Sequence, residues 1–257
     1  MDLEERLSQL ENLVSAQSNL MIENHGKLSE LLWANVYHDS IRGCSWFPEG
    51  GLPCWPGRGA VGYQYMYVMF RILNELQPQS ILELGMGQST RLIGQYIKTR
   101  DNAKDYIHYC VEHDENWANI FSTQFELDKS RSEVVILPLD KVSFTDEQNN
   151  IRDTIIYKGF FEHFNSKTFD IISIDGPFGF GDPLFSRIDT IDILPHCLND
   201  NFCIIVDDCQ RDGERNTAEA MIAKLQEYGV DCEYTVYAGE KEMYIITSKS
   251  WSFLCNM

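Results

Sequence analysis

Between residues 80 and 94 the chain reads SILELGMGQSTRLIG, and this stretch constrains the rest of the fold more than any other. A short apolar strand, Ile81-Leu82-Glu83-Leu84, runs into a tight Gly85-Met86-Gly87 turn. Gln88-Ser89-Thr90 then opens a helix whose buried side carries Leu92, Ile93, Tyr96 and Ile97. Glycines let a backbone approach a ligand closely, and the free N–H groups of a helix start meet polar or anionic atoms. Such a unit belongs to a parallel α/β sheet that takes a nucleotide-like cofactor at its carboxyl edge.

From residue 80 onward, strand and helix patterns alternate. Strands are expected at 80–85, 106–113, 133–139, 169–175 and 202–207, separated by helical or irregular connections, which is a βαβ series. A helix over about 214–228 leads to strands at 231–238 and 242–248, joined by a tight AGEK turn. One strand of that hairpin must oppose the rest of the sheet. The expected fold is therefore α/β, a Rossmann-like and mostly parallel seven-stranded sheet ending in an antiparallel hairpin. The 257 residues leave room for one such domain with appendages.

Upstream, residues 2 to about 36 read as a helical extension without proline. Leu3, Leu7, Leu10, Val14, Gln17, Met21, Asn24, Leu28 and Leu31 recur in alternating steps of four and three, a heptad seam with two polar members. It predicts either a short coiled coil that makes a homo-oligomer or an amphipathic helix folded back on its own domain. Residues 38–60 are dense in Gly, Pro, Trp and Cys and predict an ordered loop or lid. There Trp46, Phe47, Trp55 and Arg58 either face a ligand or cover a core edge. A helix from about Gly62 to Leu76 follows, so the chain divides into an N-terminal helix (1–36), a lid and helix (37–79) and a cofactor-binding domain (80–257).

Lys and Arg number 21 against 39 Asp and Glu, a net charge of −18. That surface repels phosphate backbones and anionic membranes, so nucleic acid is not expected as a partner. No apolar run reaches the ~18 residues of a membrane span. The eight cysteines contain no C-x-x-C pair, and several lie in apolar strands, as free thiols of a cytoplasmic protein do.

The order of elements, together with E-x-G-x-G-x-S/T, resembles the class I S-adenosylmethionine (SAM)-dependent methyltransferases over about residues 60 to 250. A dinucleotide dehydrogenase would need a glycine at position 90, where Thr90 stands, and lacks the final hairpin. The resemblance implies SAM as cofactor and a role for each matching residue. Glu83 would approach the methionine end, with Gly85 and Gly87 along the cofactor face. Ser89 and Thr90 would hold the carboxylate or cap the helix. Glu112 would take the ribose hydroxyls. His113, with Asp114 and Trp117, and Asp140 just past the third strand, would lie by the adenine. Asp175 would stand beside the sulfonium and the acceptor.

The ends of the fourth and fifth strands read FDIISIDGPFGFGD and CIIVDDCQRDGE, which brings Asp175, Asp207 and Asp208 to one small volume. Such carboxylates repel unless a cation or protons intervene. Mg²⁺ or another divalent cation would relieve the repulsion, or Asp207 and Asp208 are caps and turn residues. The pattern is similar to metal-dependent O-methyltransferases acting on catechols or sugars, whose ion binds and activates the acceptor hydroxyl. Asp175, Gly176, Pro177, Gly179, Arg187, Asp208, Arg211 and Glu214 also look like short stretches of polysaccharide methyltransferases. Catalytic roles are thus expected of Asp175, Asp208 and Arg211, with a glycan or small-molecule acceptor. Arg187 and Arg211 either bind a substrate anion or neutralise Asp189, Asp192 or Asp212. Candidate bases are Asp175, His113, His163 and His196. The competing readings are a phenol or amine methyltransferase of secondary metabolism and a non-catalytic interaction module.

Overall fold

The computed structural model describes residues 3–57, 59–101, 105–179, 181 and 183–257. Its strands are β1 (Ser80–Leu84), β2 (Ile107–Glu112), β3 (Ser132–Ile136), β4 (Leu139–Thr145), β5 (Ile151–Tyr157), β6 (Phe169–Ile174), β7 (Leu198–Val206), β8 (Cys232–Ala238) and β9 (Glu242–Ser248). The helices are α1 (Leu3–Ile41), α2 (Tyr63–Leu76), α3 (Gln88–Lys98), α4 (Glu115–Gln124), α5 (Phe160–Phe164) and α6 (Asp212–Glu227).

Seven strands form one sheet in the order β3-β2-β1-β6-β7-β9-β8. Pairing is parallel from β3 to β7, and β9 is antiparallel to both β7 and β8. Only β9 is therefore reversed. β8 runs with the parallel strands, and its carboxyl end reaches the same sheet edge as theirs. This is the mostly parallel sheet with a terminal hairpin that the sequence predicts.

Successive residues of a strand face opposite sides, so the central strands cover two cores. Ile81, Ile171, Cys203, Ile205 and Ile245 pack under α2 and α3. Leu82, Leu84, Ile172, Ile174, Ile204 and Val206 pack against α5, α6 and the 3₁₀ segment Ile188–Ile193. Strands buried on both faces read as continuous apolar runs for this reason.

Three expectations need correction. The first helix continues to Ile41, five residues beyond the expected boundary at 36. The third strand ends at Ile136. The stretch expected to be irregular beyond it contains the antiparallel ribbon β4–β5, outside the main sheet, and the short α5. The aromatic loop covers a core edge: Trp46 is buried against Phe70 and Tyr96, and the Arg91 guanidinium lies 5.2 Å from the Trp55 ring. Arg58 lies outside the described residues. Among the described residues no helix is long and apolar enough to cross a membrane.

Candidate active site

A cleft of about 660 Å³ opens at the carboxyl ends of β1, β2 and β6 and just beyond β7. The glycine turn forms its floor. Gly85 has φ +96°, and a Cβ there would stand 3.1 Å from the carbonyl carbon and oxygen of Asp175, so this turn requires glycine. A Cβ on Gly87 would meet nothing within 4 Å; the missing side chain leaves ligand space in the cleft.

Glu112 ends β2 on one wall. Its Oε1 accepts the backbone N–H groups of His113 and Asp114, at 2.7 and 2.9 Å, and lies 2.8 Å from His113 Nδ1. Oε2 accepts the Met86 N–H at 3.2 Å and keeps capacity for a ligand hydroxyl. Trp117 donates its indole N–H to the Met86 carbonyl at 2.8 Å, which places the ring at the cleft wall. Asp114 caps α4 by accepting the N–H groups of Asn116 and Trp117.

Four residues expected at the cofactor lie elsewhere. Glu83 is fully buried, and its Oε2 is 3.1 Å from His108 Nε2. It shares the sheet face of Ile81, so its carboxyl group ends inside the layer beneath α3 rather than in the crevice. Thr90 is buried and accepts the Gly87 N–H at 2.8 Å, as a helix cap does, and Ser89 is buried beside it outside the lining. Asp140 is exposed in β4, where its Oδ2 lies 3.8 Å from Lys158 Nζ. The chain leaves the sheet after Ile136, and the ribbon carries Asp140 away with it. Of the candidate bases, His113 lines the cleft, whereas His163 packs on Phe164 and His196 on Tyr228.

On the opposite wall stand Asp175 and Asp208, and buried Asp207 lies behind them, the three carboxylates offering oxygens within 4.8 Å of one another. They carry their own counter-ions. Buried Arg187 places Nη1 3.1 Å from Asp175 and Nη2 2.8 Å from Asp208, with Nε 3.8 Å from Glu214. It also donates to the carbonyls of Pro177 and Asp207. Lys241 Nζ lies 3.0 Å from Asp208 Oδ1 and 3.5 Å from Asp207 Oδ2. Arg211 bridges Asp208 and Glu214 at 3.3 Å each. Burial raises the pKa of Asp175 and of Asp207. Burial also opposes the charge of Asp208, but Arg187 and Lys241 outweigh it and hold its pKa at about 2.

Four carboxyl groups, Asp175, Asp207, Asp208 and Glu214, thus face three cations, Arg187, Lys241 and Arg211. The repulsion that called for a divalent ion is already met by guanidinium and ammonium groups. An ion bridging Asp207 and Asp208 would meet Lys241 Nζ where it needs to sit. The donor set as built does not fit a divalent cation.

No protein-family model and no curated protein matches the chain. It is similar in structure to a methyltransferase from Geobacter sulfurreducens, at 11% identity and a TM-score of 0.45, over 84% of this chain and 88% of that one. It is also similar to the SAH-bound Podospora anserina methyltransferase PaMTH1, at 12% identity and a TM-score of 0.41, over 83% and 86%. A spermidine synthase from Thermotoga maritima aligns at 15% identity and a TM-score of 0.42, over 74% of this chain and 62% of that one.

Two site residues are new to the structure. Tyr157, at the end of β5, lines the cleft, with its hydroxyl 2.7 Å from where a Gly176 Cβ would stand. Lys241 is the other; its signal is the hairpin turn, whose edge follows from the direction of β8.

Proposed function

We propose that the protein is a SAM-dependent methyltransferase that methylates a hydroxyl group of a sugar or polysaccharide. The observation carrying this reading is that the glycine turn and Glu112 face the same cleft as Asp175, Asp208 and Arg211. A cofactor wall and an acidic, proton-accepting wall therefore meet at one point, where Gly85 touches Asp175.

The residues suit SAM. Space at Gly87 admits the chain of the cofactor, Glu112 Oε2 accepts ribose hydroxyls, and His113 and Trp117 border the adenine position. SAM supplies an electrophilic methyl group on a sulfonium. Asp175, with its pKa raised by burial and its side chain 23% exposed to the cleft, accepts the proton of the acceptor hydroxyl. Arg187 fixes that carboxylate. Arg211, half-exposed at the cleft, supports a polar acceptor such as a glycan.

The exposed seam of α1 supports a homo-oligomer. The eight free cysteines, among them Cys110, Cys203 and Cys209 with thiol pKa values raised by burial, support a reducing compartment such as the cytoplasm.

Calorimetric titration of SAM into the protein, with NAD as control, tests the reading. Micromolar binding of SAM and none of NAD is expected, followed by methyl transfer to glycans or nucleotide-sugars. Absence of SAM binding would overturn it in favour of an interaction module. Transfer confined to free phenols or amines would replace the acceptor class.

A further inference from the structure

We propose that Lys241, in the turn between β8 and β9, is the resident counter-ion of the acidic cluster, holding Asp207 and Asp208 where a divalent cation would otherwise bridge them. An ammonium group has three protons, and three oxygens surround this one. They are Asp208 Oδ1 at 3.0 Å, Asp207 Oδ2 at 3.5 Å and the Ala60 carbonyl at 2.9 Å. The last contact ties the cluster to the loop 59–61 that walls the cleft.

The turn is built to hold the ammonium there. β8 delivers it to the carboxyl edge of the sheet. The Gly239 N–H donates to the Lys241 carbonyl at 2.9 Å. Glu242 then stitches the turn to the segment after β7, its N–H donating to Gln210 Oε1 at 3.0 Å and its carbonyl accepting the Cys209 N–H at 2.8 Å. The lysine side chain is only 18% exposed. Burial works against its charge, but Asp207 and Asp208 outweigh that and raise its pKa, so the ammonium stays charged. Asp207 is 1% exposed, and its Oδ2 has no hydrogen bond among the described residues. Lys241 is the cation that faces this oxygen. Asp208 adopts φ +63°, a strained conformation for a non-glycine residue, which turns its carboxylate between Lys241 and Arg187.

Lys241 acts as a positioning residue, and its consequence for methyl transfer rests on the acceptor-side reading given above. The cation test does not, so the two fail separately. MgCl₂ and CaCl₂ are titrated calorimetrically into full-length wild type, Lys241→Met and Lys241→Arg, with circular dichroism and thermal unfolding as fold controls. Wild type and Lys241→Arg are expected to bind neither ion at millimolar concentration. Lys241→Met is expected to gain one oxygen-ligand site with Kd of about 1 mM or tighter. Cation binding by wild type, or a folded Lys241→Met that binds none, would overturn the proposal. Should Lys241→Met fail to fold, the Asp207→Asn/Lys241→Met double variant decides. Removing both charges is expected to restore a folded protein, whereas a double variant as unstable as the single one would overturn the pairing.

Discussion

Burial raises the pKa of Asp175, while the Arg187 guanidinium 3.1 Å away draws it back down. Its environment therefore keeps a proton acceptor poised above the ordinary carboxylate range, the condition for a general base near neutrality. Below that raised value the carboxyl group is protonated and cannot take the acceptor's proton, so the rate climbs with pH and levels off above it. Asp175→Asn keeps size and a carbonyl oxygen for Arg187 but cannot accept the proton. It is expected to lower kcat by roughly 10²–10⁴-fold, to abolish the rising limb of the pH–rate profile, and to leave SAM affinity within about threefold. A pH–rate profile beside SAM calorimetry checks both. An unchanged rising limb would move the base to His113, which lines the cofactor wall of the same cleft.

The ribbon β4–β5 carries its own titrating anchor. Asp189 Oδ1 accepts the Tyr157 N–H at 2.6 Å, joining the end of β5 to the 3₁₀ segment, while Oδ2 has no partner among the described residues. Burial raises the pKa of Asp189 from 3.8 to about 7. A folded-state pKa above the unfolded one means that this group's contribution is full below about 3.8 and is lost as pH rises through about 7. Asp189→Asn keeps the acceptor and removes the ionisation. It is expected to flatten that decline and to raise stability at pH 8 by at most about 4 kcal/mol; urea midpoints of both proteins at pH 4 and pH 8 measure the difference. The strands of the main sheet were legible because burial on both faces leaves unbroken runs such as IISI and CIIV. The ribbon has one pairing partner and mixes Lys141, Ser143 and Arg152 with its apolar residues, which hides it as an irregular stretch. A signal was present in DEQNN. Asp146 accepts the N–H groups of Gln148 and Asn150, and Asn149 takes φ +61°, a tight-turn chemistry between two strands. Glu112, Asp175 and Asp208 could be placed because each ends or follows a parallel strand. Lys241 could not, because its edge depends on which hairpin strand is reversed, and that is a property of the assembled sheet.

The same long helix belongs to two environments. From Gly26 onward α1 packs on the body, with Gly26 against the Glu240 backbone, the Trp33 ring 5.3 Å from Tyr67, and Tyr37 buried beside Phe70. Residues 5–25 are exposed, a projection of roughly 30 Å at 1.5 Å per residue. Leu7, Leu10, Val14, Met21, Leu28 and Leu31 are each between 59% and 66% exposed along one seam. An isolated helix of this length is marginal in water, and such a seam is stable when another helix covers it. In the heptad register Leu7, Val14, Met21 and Leu28 take a positions, and Leu10, Gln17, Asn24 and Leu31 take d positions. Arg6 then falls at g and Glu11 at the following e, so a parallel second copy brings opposite charges together. The same pairing gathers the acidic bodies of chains with a net charge of −18 each at one end of the coil, where they repel. Self-association is therefore expected to strengthen as salt screens that repulsion. Leu10→Glu/Val14→Glu places charge in the seam and is expected to give monomers, with lost helical signal confined to about 20 residues and SAM binding unchanged. Sedimentation equilibrium at low and high salt, with circular dichroism, reads each part. A wild type that is monomeric at every salt concentration would leave the seam to a different helix.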